Sequence, residues 1–317
     1  MSEAKVTKGV LLLAFGGADS IDSVEPFVKN ILKGRQVAPE FIEEMKERYE
    51  AIGGRSPLME ITKGQAAALE EKLNARGDGE VYKVFVGMLN WAPFITEAIT
   101  EIQSAGLREV QAIVMAPYAI PATMDNYKKA VAEAIEDNGK PLKVDYIENW
   151  HCHPLLIEAI VENLKDELKA FDEPKHAHLV FTAHSLPVVA LKGDTYQRLV
   201  RETVFAVTHY VNYEFRVAYQ SKGRNGEWLG PEVEEIVIEC SAYGKEGLIV
   251  IPLGFVSDNV ETLFDLDTNI KKMAEGMGLR YGRTAGLNTN PKFIEMLAHI
   301  VCNKPSEEQT ADVQQPV

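Results

Sequence analysis

The chain is poor in features that mark several large classes of protein. Cysteine is scarce: Cys152, Cys240 and Cys302 are the three among 317 residues. They are odd in number and far apart, which argues against a disulfide framework and against a cysteine-rich zinc or iron–sulfur site. Long apolar runs are missing too. The longest, around residues 10–15, has about seven residues against the ~20 a membrane-spanning helix needs, so no span is expected. The first nine residues lack a basic stretch, a long apolar core and a small-residue cleavage site. No secretory signal is therefore expected, and the cytoplasm is the expected location. Positive charge is in deficit, with 33 Lys and Arg against 47 Asp and Glu and a formal net charge of −14. Without a basic run, that balance argues against nucleic acid as a partner. Neither heptads nor a long exposed apolar stripe mark an assembly interface, so a monomer is expected.

What is present is an ordinary globular mixture, 46% hydrophobic and 25% charged, long enough for two domains. Eight short segments, most of them rich in Val, Ile and Leu, read as strands: 9–15, 82–87, 110–116 and 143–148, then 178–183, 214–220, 248–253 and 279–283. Most lack strict alternation, as parallel strands buried on both faces do. Between them run helical patterns at 64–75, 93–105, 126–137, 154–170 and 196–210, with a final one at 291–301. The alternation predicts an α/β fold with helices on both sides of parallel sheets. The order of elements suggests two halves of four strands each, 1–150 and 151–302, with the last helix free to pack back on the first half. The stretch 303–317 reads as a disordered tail. Between the first two strands lie about 65 residues, roughly 16–81, far more than one crossover helix needs. Insertions after a strand's carboxyl end commonly build ligand clefts.

Three strands of the second half end in unusual polar sequence. Phe181-Thr182-Ala183-His184-Ser185-Leu186-Pro187 places a histidine at a strand tip, suited to a base, a metal ligand or a satisfied cap. Ile251-Pro252-Leu253-Gly254-Phe255-Val256-Ser257-Asp258 runs from a strand into a helix expected to start at Ser257 or Asp258. On an α-helix Asp258, Glu261 and Asp265 would share one face, either a solvated one or a row of hard oxygen ligands for a divalent cation. Tyr219-Gln220-Ser221 and Trp228-Leu229-Gly230-Pro231 read as a surface loop or a second cleft wall. In a parallel sheet all three tips open on one edge.

Taken together and in this order, these motifs resemble the ferrochelatases, as does Gly53-Gly54-Arg55-Ser56-Pro57-Leu58 in the insertion. The resemblance runs from about residue 10 to 301. Leu13-Ala14-Phe15-Gly16-Gly17, Gly34-Arg35 and Asn90-Trp91 look most like the coproporphyrin-type enzymes of Gram-positive bacteria and their relatives. The resemblance implies two flavodoxin-like domains with a porphyrin cleft between them. It implies insertion of Fe²⁺ into a porphyrin, coproporphyrin III favoured, with iron and porphyrin as substrates, no resident cofactor and no iron–sulfur cluster. It places the metal-binding and catalytic roles on His184 and Glu261, with Asp265 deeper in the metal path. Phe15, Arg48, Tyr49, Ser56 and Tyr127 fall on substrate-binding positions. The insertion suits carboxylates better than the chain at large: residues 29–63 hold seven basic and six acidic side chains.

The chain departs from some relatives. Phe15 stands where some carry tyrosine, Leu32 where some carry arginine, Asn269 where some carry an acid, and Leu89-Asn90 where one branch carries Lys-His. Protoporphyrin IX as substrate, another metal and tetrapyrrole, or a non-catalytic porphyrin carrier remain as alternatives. His151-Cys152-His153 and His176-Ala177-His178 have metal-like spacing but lie at element starts, away from strand tips, and receive no role. Phe15-Gly16-Gly17 lacks the dinucleotide spacing.

Overall fold

The computed structural model describes residues 7–171, 177–191 and 193–303. The predicted strands form two all-parallel, four-stranded sheets. The first contains β1 (Lys8–Ala14), β2 (Tyr82–Met88), β3 (Glu109–Val114) and β4 (Lys143–Ile147) in the order β2-β1-β3-β4. The second contains β5 (Ala177–His184), β6 (Phe215–Gln220), β7 (Gly247–Pro252) and β8 (Arg280–Arg283) in the order β6-β5-β7-β8. The two have one topology. In each, the chain leaves the first strand to one side and later returns to its other side, so the carboxyl ends of β1 and β5 border a topological switch point. β5 shows why its sequence does not alternate: seven of its eight residues are buried.

The insertion holds α1 (Val24–Ile31) and α2 (Pro39–Ala51) ahead of the crossover helix α3 (Leu58–Asn74). Phe27, Val28, Ile42 and Tyr49 give the first two a small core of their own, against which Trp91 and Val260 pack. α3 starts at Leu58, earlier than the expected residue 64. Gly53 and Gly54 turn the chain at φ 96° and 88°, a conformation that favours glycine. Ser56 Oγ then accepts from the Leu58 N–H at 3.3 Å. The remaining helices are α4 (Ile95–Ser104), α5 (Pro121–Asn138), α6 (Pro154–Ala170), α7 (Thr195–Thr208), α8 (Val233–Ala242), α9 (Lys271–Gly276) and α10 (Pro291–Cys302). Several start on proline, whose missing N–H costs nothing in the first turn.

Each half has an apolar cluster of its own, and a further one spans the two. The spanning cluster runs from Val10 and Leu12 of β1, through Leu69 of α3 and Phe293 and Leu297 of α10, to Leu179 and Phe181 of β5. α10 packs on α3 and α6 together, and Gln111 Nε2 donates to the Val301 carbonyl at 3.0 Å. The last helix thus packs on the first half and covers the second as well. The tail expected over 303–317 lies, from 304 onward, outside the described residues, as does His176. Among the described residues no helix is long and apolar enough to cross a membrane.

Candidate active site

The tips of β5, β6 and β7 meet on one edge. His184 ends β5 in register with Gln220 of β6, and the Ser185 N–H donates to the Gln220 carbonyl at 2.7 Å. Gly254 follows β7. A Cβ there would stand 3.1 Å from the His184 nitrogen, so glycine lets the two tips close. The third motif is a brace for this loop: Ser185 Oγ donates to the Leu229 carbonyl at 2.8 Å, and Leu229 N–H donates to the Leu186 carbonyl. Behind it, the Tyr196 hydroxyl of α7 donates to the His184 carbonyl at 2.9 Å.

His184 Nε2 lies 3.4 Å from Glu261 Oε1, with both side chains about one-third exposed. Nδ1 of His184 is bonded to the Ser185 carbonyl. Burial works against charge on this imidazole, but the Glu261 carboxylate and the Ser185 carbonyl outweigh it and raise the pKa to about 9. Without a metal, His184 therefore rests as imidazolium at neutral pH.

Glu261 opens a π-helical segment, Glu261–Ile270, that continues into α9. Its wide turn is visible where the Lys271 backbone N–H donates to the carbonyl of Leu266, five residues back. The expected cap at Ser257 or Asp258 is replaced by Asn259, whose side-chain oxygen accepts from the Glu261 N–H at 2.8 Å. Asp258 does not join the carboxylate row. It precedes the segment, and its carboxylate takes Arg283 at 3.0 Å and Asn288 at 2.8 Å. Arg283 also holds Asp267 through two nitrogens at 2.6 and 2.7 Å. This clamp was missed in the sequence. The strand-tip reading that singled out β5, β6 and β7 would have found Arg283 had it been extended to the edge strand β8.

Asp265 does face the site. Ser221 Oγ donates to its Oδ2 at 2.6 Å, from a left-handed backbone (φ 60°) that is costly for a residue with a Cβ. Burial raises the Asp265 pKa against the pull of that hydrogen bond. Ser221 and Asp265 border a recess of about 160 Å³ with Gln220, Asn269 and Glu232. That is room for a hydrated ion but not for a tetrapyrrole. A larger cavity of about 840 Å³ sits at the opposite, amino-terminal edge of the first sheet and is lined by none of the predicted site residues.

The substrate candidates divide. Arg48 of α2 reaches across the halves: Nη1 is 3.4 Å from Asp265 Oδ1, Nη2 is 3.1 Å from Glu44, and the guanidinium lies 5.3 Å from the Phe264 ring centre. Arg224, from the loop after β6, pairs with Glu44 as well. Phe15, at the β1 tip, is 46% exposed and packs edge-on against Phe27. Tyr49 is fully buried, its hydroxyl accepts from the Ala18 N–H at 3.1 Å, and burial pushes its pKa up to about 12. Ser56 is buried beside Gly17, where a Cβ would clash at 2.7 Å. These two shape the insertion from within. Tyr127 stands apart, in the apolar layer of Leu11, Leu13, Met124 and Val131. Leu32 packs on the insertion's core, and Asn90 donates to the Phe15 carbonyl at 3.2 Å.

The family model for ferrochelatase matches residues 7–305. A ferrochelatase of Deinococcus radiodurans is 34% identical over 94% of this chain and 96% of its own. A coproporphyrin III ferrochelatase of Oceanobacillus iheyensis is 34% identical over 95% and 97%. Among solved structures, SirB from Bacillus subtilis superposes with a TM-score of 0.59 at 10% identity, covering 96% of this chain and 98% of that one. CbiX, the terminal enzyme of sirohaem biosynthesis in denitrifying bacteria, gives 0.58 at 12%, covering 94% and 100%. These two likenesses speak for the fold alone. The family match and the near-complete coverage of the curated relatives mean that the chain belongs to the ferrochelatase family.

Proposed function

We propose that this chain inserts Fe²⁺ into coproporphyrin III, with His184 and Glu261 as the groups that meet the metal and the pyrrole nitrogens. The observation that carries the reading is the 3.4 Å approach of His184 and Glu261 at the joined strand tips, in a chain of this family. Metal insertion replaces two pyrrole N–H protons by one Fe²⁺, so the site must hold a dication and accept protons. His184 starts protonated beside Glu261 and becomes a ligand or base once an incoming dication displaces its proton. Asp265, held by Ser221 in the small recess, would pass hydrated Fe²⁺ inward. Arg48 would exchange an Asp265 or Glu44 oxygen for a porphyrin propionate, a charge-assisted contact of the same kind.

Coproporphyrin III carries twice as many propionates as protoporphyrin IX, and the near-neutral stretch 29–63 within the insertion, with its exposed Arg55 and Lys33, suits the more anionic substrate. Two of the relatives are named coproporphyrin III ferrochelatases. Anaerobic insertion assays with both porphyrins, followed by fluorescence loss and haem absorbance, test the choice. A kcat/KM at least several-fold higher for coproporphyrin III is expected. Preference for protoporphyrin IX would overturn the substrate assignment and leave the reaction.

A further inference from the structure

The run His151-Cys152-His153 separates in the fold. His153 turns toward α10, where its Nε2 lies 2.9 Å from His299 Nδ1. His151 and Cys152 face α7 instead. There His151, Cys152 and Glu202 each offer one ligand atom, and these atoms all lie within 4.8 Å of one another. With bonds of about 2.0–2.3 Å, the ligand atoms of a tetrahedral zinc site stand roughly 3.3–3.8 Å apart, so a shift of about an ångström closes this cluster on an ion. His151 is 4% exposed. Its Nε2 is 2.9 Å from Glu202 Oε2, and its Nδ1 is buried without any hydrogen-bond partner, an arrangement native interiors rarely tolerate. Burial lowers the pKa of His151, favouring the neutral, ligating form, and pushes the Cys152 thiol up to about 12.

We propose that His151, Cys152 and Glu202 form a second metal site, distinct from the His184–Glu261 pair, that takes a borderline-soft divalent ion such as Zn²⁺ or Co²⁺. The donor set selects for this class: one thiolate and one imidazole disfavour Mg²⁺ and Ca²⁺. On binding, the Cys152 thiol loses its proton to solvent as the metal–sulfur bond forms. His151 contributes a neutral lone pair, and Glu202 exchanges its hydrogen bond to His151 for the metal. Thiolate and carboxylate then neutralise the dication, which suits a buried centre. Arg198 pairs with the other Glu202 oxygen and orients the carboxylate from outside, as outer partners of metal ligands do. An ion here staples the turn before α6 to α7. That turn is already tied to α7 by the Thr203 hydroxyl, which donates to the His151 carbonyl at 3.2 Å. α7 also carries Tyr196, which holds the His184 carbonyl, so occupancy stiffens the support of the catalytic histidine.

The test is anaerobic titration of the metal-free full chain with Co²⁺. A near-ultraviolet thiolate-to-cobalt charge-transfer band is expected, with the visible bands of tetrahedral Co²⁺. It should disappear in Cys152→Ser, and it should persist in Glu261→Gln, which disables the catalytic pair. Glu202→Gln should weaken Co²⁺ binding by more than the roughly 10- to 100-fold typical of losing an outer partner. Absence of the band in the wild type, or its survival in Cys152→Ser, would overturn the site. Should Cys152→Ser fail to fold, Glu202→Gln decides, and unchanged Co²⁺ affinity there would overturn it equally.

Discussion

A histidine at the tip of a buried strand is expected to lose charge through desolvation, yet burial is outweighed at His184 by Glu261 and the Ser185 carbonyl, and its pKa rises to about 9. Because the folded value lies above the unfolded one near 6.5, the pair's contribution to stability is complete below about pH 6.5 and is lost as pH rises through about 9. Nuclear magnetic resonance titration of the metal-free protein should find the His184 imidazole titrating well above 7. In Glu261→Gln, where burial is opposed by the Ser185 carbonyl and the Asp265 charge alone, the midpoint should fall; an unchanged midpoint would contradict the pairing. His184, Glu261 and Asp265 were legible because each belongs to a motif at a strand's end. Ser221 was quoted within a motif, but its role was not legible. That role depends on a left-handed backbone that no residue type announces, unlike Gly53 and Gly54, whose identity signals the turn.

At the scale of elements, the π-helical segment is where sequence reading failed in an instructive way. Spacings of three and four are compatible with an α-helix, and an α-helix would have put Asp258 beside Glu261. The wider turn starts after Asp258, which instead joins Asp267 on Arg283. That guanidinium is only 11% exposed in its side chain, so removing it strands two carboxylates. Arg283→Leu should destabilise the fold by about 3 kcal/mol, the lower part of the range for a broken buried pair, since Asp267 is one-third exposed. Urea unfolding measures this. Arg283→Lys, which keeps charge but not the two-pronged grip, should recover part of the stability. Because the clamp ties the π-helical segment to the loop before it, iron insertion should fall in Arg283→Leu through kcat more than through porphyrin KM. The central strands β1, β5 and β7, by contrast, were found within a few residues because nearly fully buried parallel strands leave unbroken apolar runs, and the edge strands were placed by the repeating order of elements.

At the scale of the molecule, two sheets of one topology were predictable from the repeating order of strands and helices, but their shared core was not. Apolar residues on α3 and α10 look alike whether a helix covers one sheet or two, and only the three-dimensional path shows them doing both. The closure on the second half includes the His153–His299 contact between the start of α6 and the last turn of α10. Burial, with the neighbouring His299 adding to it, lowers His153 to about 4. The folded value lies below the unfolded one near 6.5, so stability from this contact is present above about pH 6.5 and is lost as pH falls toward 4. The urea midpoint should drop between pH 7.5 and pH 5, and less steeply in His299→Gln. An equal drop in both proteins would place the acid sensitivity elsewhere.

We propose that this fold brings one imidazole, His184, and one carboxylate, Glu261, to the face of a porphyrin. Single-turnover insertion of Fe²⁺ into bound coproporphyrin III, with wild type, His184→Ala and Glu261→Gln compared under anaerobic conditions, tests it most directly. Porphyrin binding should stay within a few-fold of wild type in both variants, with insertion slowed by about 10²–10⁴-fold, the range general acid–base groups supply. Insertion at the wild-type rate in His184→Ala would contradict it.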